Sequence, residues 1–73
     1  MDESRDPPPS RRLGADEVAV LRLMAEGQTV EAVARRLDVS ERTVRRKVRA
    51  ACASVGVDTT VEAIVWAVRQ RLI

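Results

Sequence analysis

The sequence is poor in the side chains that build active sites, metal sites and disulfides. It has no histidine, no phenylalanine and no tyrosine, and it has one tryptophan, Trp66, and one cysteine, Cys52. Zinc sites, disulfides and histidine-based catalysis all need residues that are missing here. A chain of 73 residues with a single aromatic side chain also leaves little room for a deep pocket. We therefore expect no metal, no cofactor and no enzymatic activity.

The sequence also lacks a long apolar run. No stretch approaches the ~18 apolar residues of a membrane-spanning helix, and the N-terminal residues form no hydrophobic signal segment. Residues 1–12 instead include three consecutive prolines, which favour an extended backbone. We predict a cytoplasmic protein without a membrane partner, with a disordered tail or linker remnant over residues 1–12 and one domain over residues 13–73.

Apolar periodicity and capping signals predict four helices in residues 13–73, and no segment alternates like a strand. The first helix begins at Ala15 and ends at a left-handed cap on Gly27. The other three cover residues 30–37, 40–55 and 60–71. The expected fold is all-α, a four-helix bundle-like domain. The turn between the second and third helices is so short, with Asp38 in a left-handed conformation, that the two make a helix-turn-helix.

The third predicted helix is cationic on one face and apolar on the other. At ~100° per residue, the side chains that share the cationic face are Arg42, Arg45, Arg46 and Arg49. The opposite face carries Val44, Val48, Ala51 and Val55. Segment 40–55 has five basic residues and one acidic residue, a net charge of +4, whereas the whole chain is +2 and the remainder therefore −2. A cationic face concentrated on one helix is expected of a duplex-DNA reader, although a merely solvated face is the alternative.

The fourth predicted helix is apolar over an unusually wide arc, which indicates that it packs against two separate surfaces. Trp66 projects away from Ile64 on a helical wheel. Tryptophan and arginine are favoured interface anchors, so we predict a homodimer interface at Val65, Trp66 and Arg69. The alternative for Trp66 is a ring that lies across the edge of the core.

Several segments together resemble a known family. They are Leu13-x-x-x-Glu17, Leu21-Arg22-Leu23-Met24-Ala25-Glu26-Gly27, Val33-Ala34-Arg35-Arg36-Leu37-x-Val39-Ser40-x-x-Thr43-Val44-Arg45, Gly56-Val57, Glu62-Ala63 and Leu72-Ile73. This pattern resembles the LuxR-type, or GerE-type, helix-turn-helix domain of bacterial transcription regulators, from Leu13 to the last residue. The resemblance implies a DNA-binding domain whose third helix lies in the major groove of double-stranded DNA. It also implies a homodimer formed through the fourth helix.

The resemblance assigns roles to residues that the helical wheel also selects. It implies base contacts by Arg45, Arg46 and Arg49, and phosphate contacts by Ser40 and Thr43. To the phosphate contacts we add Arg42, on the cationic face, and Lys47, on its flank. Expected partners are double-stranded DNA, a second copy of the chain, and RNA polymerase or another regulator. The expected location is the nucleoid.

The chain departs from the family pattern mainly where the DNA backbone would be held. The departures are Asp16 in place of Arg, Val30-Glu31 in place of Asn-Lys, Lys47 in place of His, Ser54-Val55 in place of Lys-Leu, and Thr60 in place of Arg. These losses leave one alternative open, a protein-interaction module of a regulator with a degenerate DNA face. A second alternative comes from the Ser-x-x-Thr-Val-Arg pattern, which region four of a sigma factor shares, and it is a promoter reader of that kind.

Overall fold

Four α-helices make up the domain in a computed structural model, which describes residues 12–73. The helices are α1 (Ala15–Ala25), α2 (Val30–Leu37), α3 (Glu41–Val55) and α4 (Thr60–Arg69). No strand occurs among residues 12–73. The all-α prediction is thus confirmed, and α4 ends two residues earlier than predicted. The predicted tail lies, apart from Arg12, outside the described residues, so the division at residue 12 stays a prediction.

Three of the four helices, α2, α3 and α4, begin after residues whose side chains cap them. Hydroxyl oxygens of Thr29, Ser40 and Thr59 accept hydrogen bonds from backbone N–H groups three residues later, at 3.0 to 3.1 Å. Each bond satisfies a donor that has no partner within its helix. Glu62 also accepts from the Thr59 N–H at 3.0 Å, which completes a capping box at the start of α4.

All four helices end in the same left-handed cap. The residues with positive φ are Gly27, Asp38, Gly56 and Arg71. After each of them, the next N–H donates to a carbonyl five residues back, at 2.9 to 3.3 Å. This is the Schellman arrangement, which favours glycine because the left-handed conformation costs other residues ~1–2 kcal/mol. Asp38 tolerates it better than most residues, whereas Arg71, with φ of 61°, has no such advantage.

Two apolar clusters form the core, and both lie against α1 and α3. The first joins α1, α2 and α3 through Val20, Leu23, Val33, Ala34 and Val44. The second joins α1, α3 and α4 through Leu21, Ala51, Ala63 and Ala67. The first cluster therefore supports the N-terminal half of α3, and the second supports its C-terminal half. Both halves of α3 therefore pack against the apolar core.

The core face of α4 is built from its smallest side chains. Ala63 and Ala67 are fully buried, whereas Val61, Val65 and Val68 are exposed by 68%, 42% and 52%. The wide apolar arc of α4 thus divides into an alanine face toward the core and a valine face toward solvent. Ile64 and Trp66 lie on either side of the alanines and pack against the second cluster. Trp66 is therefore half-buried at the edge of the core.

Within residues 12–73, no single helix has the length and apolar character to cross a membrane. Only α3 and α4 taken together reach that length and composition, and they meet at a bend of 59°.

Candidate nucleic-acid interface

The helix-turn-helix places α3 with its arginines outward. Val44, Ala51 and Val55 are fully buried, and Val48 packs against the first core cluster. The four arginines predicted on the opposite face are all exposed: Arg42, Arg45, Arg46 and Arg49. The Asp38 turn has the left-handed conformation expected of it, with φ of 58° and ψ of 48°. The predicted two-faced character of α3 is therefore present in the structure.

Ser40 and Thr43, for which phosphate contacts are predicted, bond to each other and cap the start of α3. The Ser40 hydroxyl accepts from the Thr43 N–H and donates to Thr43 Oγ1, both at 3.0 Å. Because a hydroxyl has a single proton, the Ser40 side chain has no further hydrogen to donate in this arrangement. The Thr43 hydroxyl proton is not used by that bond and can be donated to an anion.

The arginines of α3 differ in whether a carboxylate is bonded to them. Arg45 donates to Glu41 Oε1 at 3.3 Å, one turn earlier in the same helix, and both side chains are about half exposed. Arg42, Arg46 and Arg49 have no carboxylate partner within 4.0 Å among residues 12–73. Three arginines are thus free to meet an external anion directly, whereas Arg45 is already engaged with Glu41.

Lys47 is held more firmly than any arginine of α3. Its Nζ donates to Asp16 Oδ2 at 2.9 Å, and its side chain is 25% exposed against 75% for Asp16. The bond joins α3 to α1 across 31 positions of sequence. Asp16 and Lys47 are both departures from the family pattern, and the structure brings them together as one ion pair.

The surfaces beside α3 carry fewer cations than the family pattern implies. At the start of α2, Val30 is half-buried, and Glu31 accepts from Arg35 at 3.3 Å. Thr60 lies at the start of α4, on the groove that also contacts Arg45 and Arg49. The positive charge beside this groove therefore comes from α3 itself rather than from the starts of α2 and α4.

Cys52 lies in the same groove and is not activated. Burial raises the pKa of the Cys52 thiol, and the carboxylates of Glu62 and Asp58 raise it further. A raised pKa keeps the thiol protonated near neutral pH, and the thiolate is the nucleophilic form. Cys52 therefore acts as a small residue at the edge of the core, where it packs against the second cluster.

The predicted dimer residues also lie close together. Val65, Trp66 and Arg69 line one open groove on α4, together with Val57 and Val61. Trp66 does not stand clear of the core at this groove, because it also packs against the second core cluster. The groove is mainly apolar, and it also carries one cation, Arg69, and one carboxylate, Glu62.

Sequence reasoning missed two residues of this surface, Glu41 and Asp16. Glu41 could have been found, since a glutamate four residues before an arginine is a favourable helical pair. Asp16 could not have been linked to Lys47 from sequence, because their contact depends on how α1 packs against α3.

A four-helix domain with a helix-turn-helix and an exposed cationic second helix defines a class, the DNA-binding domains. The chain matches the family model GerE, described as bacterial regulatory proteins of the luxR family, over residues 11–67. The protein therefore belongs to the luxR family of DNA-binding transcription regulators, and the predicted resemblance is confirmed. No curated protein and no solved structure matches the chain significantly.

Proposed function

We propose that the protein binds double-stranded DNA sequence-specifically and inserts α3 in the major groove. The observation that carries this proposal is the exposed arginine face of α3, which lies opposite a fully buried apolar face. Base contacts are assigned to Arg45, Arg46 and Arg49, since a bidentate arginine on guanine discriminates by ~1–3 kcal/mol. Regulation of transcription follows from the family, and the site of action is the nucleoid in the cytoplasm.

Phosphate contacts are assigned to Ser40, Arg42, Thr43 and Lys47. Thr43 has a proton to donate, and Arg42 has no internal carboxylate partner among the described residues. Lys47 donates one ammonium hydrogen to Asp16, and its two others can be donated to phosphate. Ser40 serves the contact indirectly, because it fixes the Thr43 hydroxyl.

We further propose that the functional unit is a homodimer formed through α4, with Val65, Trp66 and Arg69 at the interface. Val61, Val65 and Val68 follow one another at intervals of four and three residues, the spacing of a helix–helix seam. Exposed apolar stripes of this kind mark association surfaces. A dimer would read paired half-sites, and RNA polymerase or another regulator would be a further partner.

The test is in-vitro selection from a randomised duplex pool at moderate salt. Enrichment of paired half-sites supports a dimeric sequence reader, and enrichment of single sites supports a monomeric one. Retention of DNA without any enrichment would mean that α3 supplies electrostatic attraction only, because phosphate contacts carry no sequence information.

A second candidate is a protein-interaction module whose DNA face is degenerate. It is favoured by the acidic start of α2, where Glu31 is paired with Arg35, together with the exposed valines of α4. Tight self-association without measurable duplex affinity at low salt would support this candidate over the first. Low salt is the stringent condition, since electrostatic DNA binding is strongest there.

A further inference from the structure

Glu41 is the one acidic residue of α3, and it stands among cations that are proposed to face DNA. It occupies the first position of the helix, where a carboxylate is stabilised by ~0.3–1 kcal/mol by the helix dipole. The helix dipole stabilises a carboxylate at this position whichever face of the helix it lies on. Glu41 lies one turn before Arg45 and is bonded to it, so a carboxylate that repels phosphate is held at the proposed reading face.

The Glu41–Arg45 pair leaves both side chains able to bind a third group. Their side chains are 46% and 59% exposed. The bond uses one Arg45 NH2 donor, and a guanidinium has five donors. An exposed pair at this spacing contributes only ~0.3–0.5 kcal/mol, so its geometry can adjust to a ligand at little cost. The pair therefore presents a donor and an acceptor side by side.

This order of groups complements one kind of base pair. In the major groove, a G·C pair presents the guanine acceptors N7 and O6 and then the cytosine N4 donor. Guanine O6 and cytosine N4 are joined by a base-pairing hydrogen bond and lie ~2.9 Å apart. The Arg45 NH2 and Glu41 Oε1 atoms are 3.3 Å apart. An arginine on N7 and O6 thus brings the Glu41 carboxylate within reach of N4.

An A·T pair whose adenine takes the place of the guanine opposes the same arrangement. An A·T pair presents an acceptor, a donor and then an acceptor, so the arginine would meet the adenine amino group and the carboxylate would meet thymine O4. Both meetings are repulsive. A donor–acceptor pair at this spacing therefore rejects A·T by unfavourable contacts as well as selecting G·C by favourable ones.

We propose that Glu41 is a specificity-determining residue, which accepts a hydrogen bond from cytosine N4 in the base pair whose guanine Arg45 binds. The inference rests on the proposed function, since it requires α3 in the major groove. Glu41 and Arg45 then read both bases of one G·C pair as a unit.

The test uses the duplex that wild-type protein enriches from a random pool. The G·C pair whose selection is lost in Arg45→Ala identifies the position. Its cytosine is then replaced by N4-methylcytosine, which keeps base pairing and replaces the groove-facing N–H by a methyl group. Wild-type affinity is expected to fall about tenfold, and that of Glu41→Ala is expected not to change. Replacing the guanine by 7-deazaguanine should weaken both proteins, because Arg45 remains in each.

The chain offers a matched control in Glu31→Ala. Glu31 and Arg35 form an exposed pair with the same four-residue spacing and the same 3.3 Å distance, but on α2. This variant should lose affinity on N4-methylcytosine as the wild type does. A second variant, Glu41→Gln, keeps an acceptor oxygen without the charge and should show an intermediate loss.

Two results would overturn the proposal in different ways. If wild type and Glu41→Ala lose the same affinity on N4-methylcytosine, Glu41 does not contact cytosine and the inference fails while the proposed function stands. If wild type enriches no sequence at all, the proposed function fails first and this inference fails with it.

Discussion

Helices α3 and α4 bury similar side chains in the core but expose different side chains on their outer faces. Both bury small side chains in the second core cluster, Ala51 on α3 and Ala63 and Ala67 on α4. On the outer side, α3 presents arginines and α4 presents valines. The two helices thus share the second core cluster and differ in what they offer to a partner.

The difference indicates two partners of opposite chemistry. Like charges along α3 repel each other by ~0.2–0.5 kcal/mol per pair, a cost that an anionic partner relieves. Exposed valines along α4 lose that exposure only against an apolar partner, and a second copy of the same helix supplies one. Mutations that remove either outer face should therefore spare the fold and affect one partner each.

The largest expected effect is on α3. The double substitution Arg45→Ala and Arg49→Ala should lower affinity for a selected duplex about a hundredfold, because each guanine contact is worth ~1–3 kcal/mol. Affinity for unrelated duplexes should fall much less. Fluorescence anisotropy on both duplexes measures the two changes. The control, Arg35→Ala with Arg36→Ala, removes the same charge from α2 and should weaken both duplexes evenly; an even loss in the α3 variant would show that its arginines read no bases.

On α4, Val65→Asp should raise the dissociation constant of the dimer at least about tenfold, since dimerisation would bury two unpaired carboxylates. The fold should persist, because Val65 is 42% exposed. Sedimentation equilibrium measures the constant. Val39→Asp is the matched control, at a valine of 36% exposure outside α4, and should leave self-association unchanged. An equal effect of both variants would argue against the α4 interface.

The ends of the two helices offer a smaller test. The cap of α3 is Gly56 and that of α4 ends in Arg71, both left-handed. Arg71→Gly should stabilise the domain by about 0.5–1 kcal/mol, because glycine adopts this conformation without strain. That gain corresponds to a rise in melting temperature of roughly 2–8 °C in thermal unfolding. Gly56→Ala should destabilise by a similar amount, and a destabilising Arg71→Gly would contradict the cap geometry.

The smallest effect concerns the starts of the helices. Hydrogen bonds from the Thr59 hydroxyl and from the Asp58 backbone lower the pKa of Glu62. A carboxyl with a lowered pKa stabilises the fold fully above its unfolded pKa and loses that contribution as pH falls through its folded value. Urea unfolding below about pH 5 should therefore show a slight loss of stability that Glu62→Gln lacks. If the wild type and Glu62→Gln lose the same stability as pH falls, the loss comes from other carboxylates.

The fold could be predicted where the signals are local. Gly27, Gly56 and the Thr59–Glu62 box each fix a helix end by chemistry within one turn, and the structure agrees at all three. Arg71 carries no such signal, which is why the predicted α4 was two residues too long. The face of α3 was predictable because charge and apolarity alternate with the helical period.

The face of α4 could not be predicted in the same way. Apolar residues occur around most of the circumference of α4, so periodicity does not predict which side is buried. The structure buries Ala63 and Ala67 because small side chains let α4 approach α1 and α3 closely. Contacts such as Asp16 with Lys47, or Arg22 with the Leu72 carbonyl at 3.0 Å, depend on that tertiary arrangement and have no local signal.

The most direct test of the central claim is a backbone amide NMR titration of the full chain, which at 8.1 kDa gives well-resolved spectra. Adding a selected duplex should shift the amides of residues 41–49 most, and diluting the free protein should shift those of residues 61–69 most. This result would establish that the outer faces of α3 and α4 serve different partners. Shifts from DNA concentrated on residues 61–69, with residues 41–49 unchanged, would contradict the account.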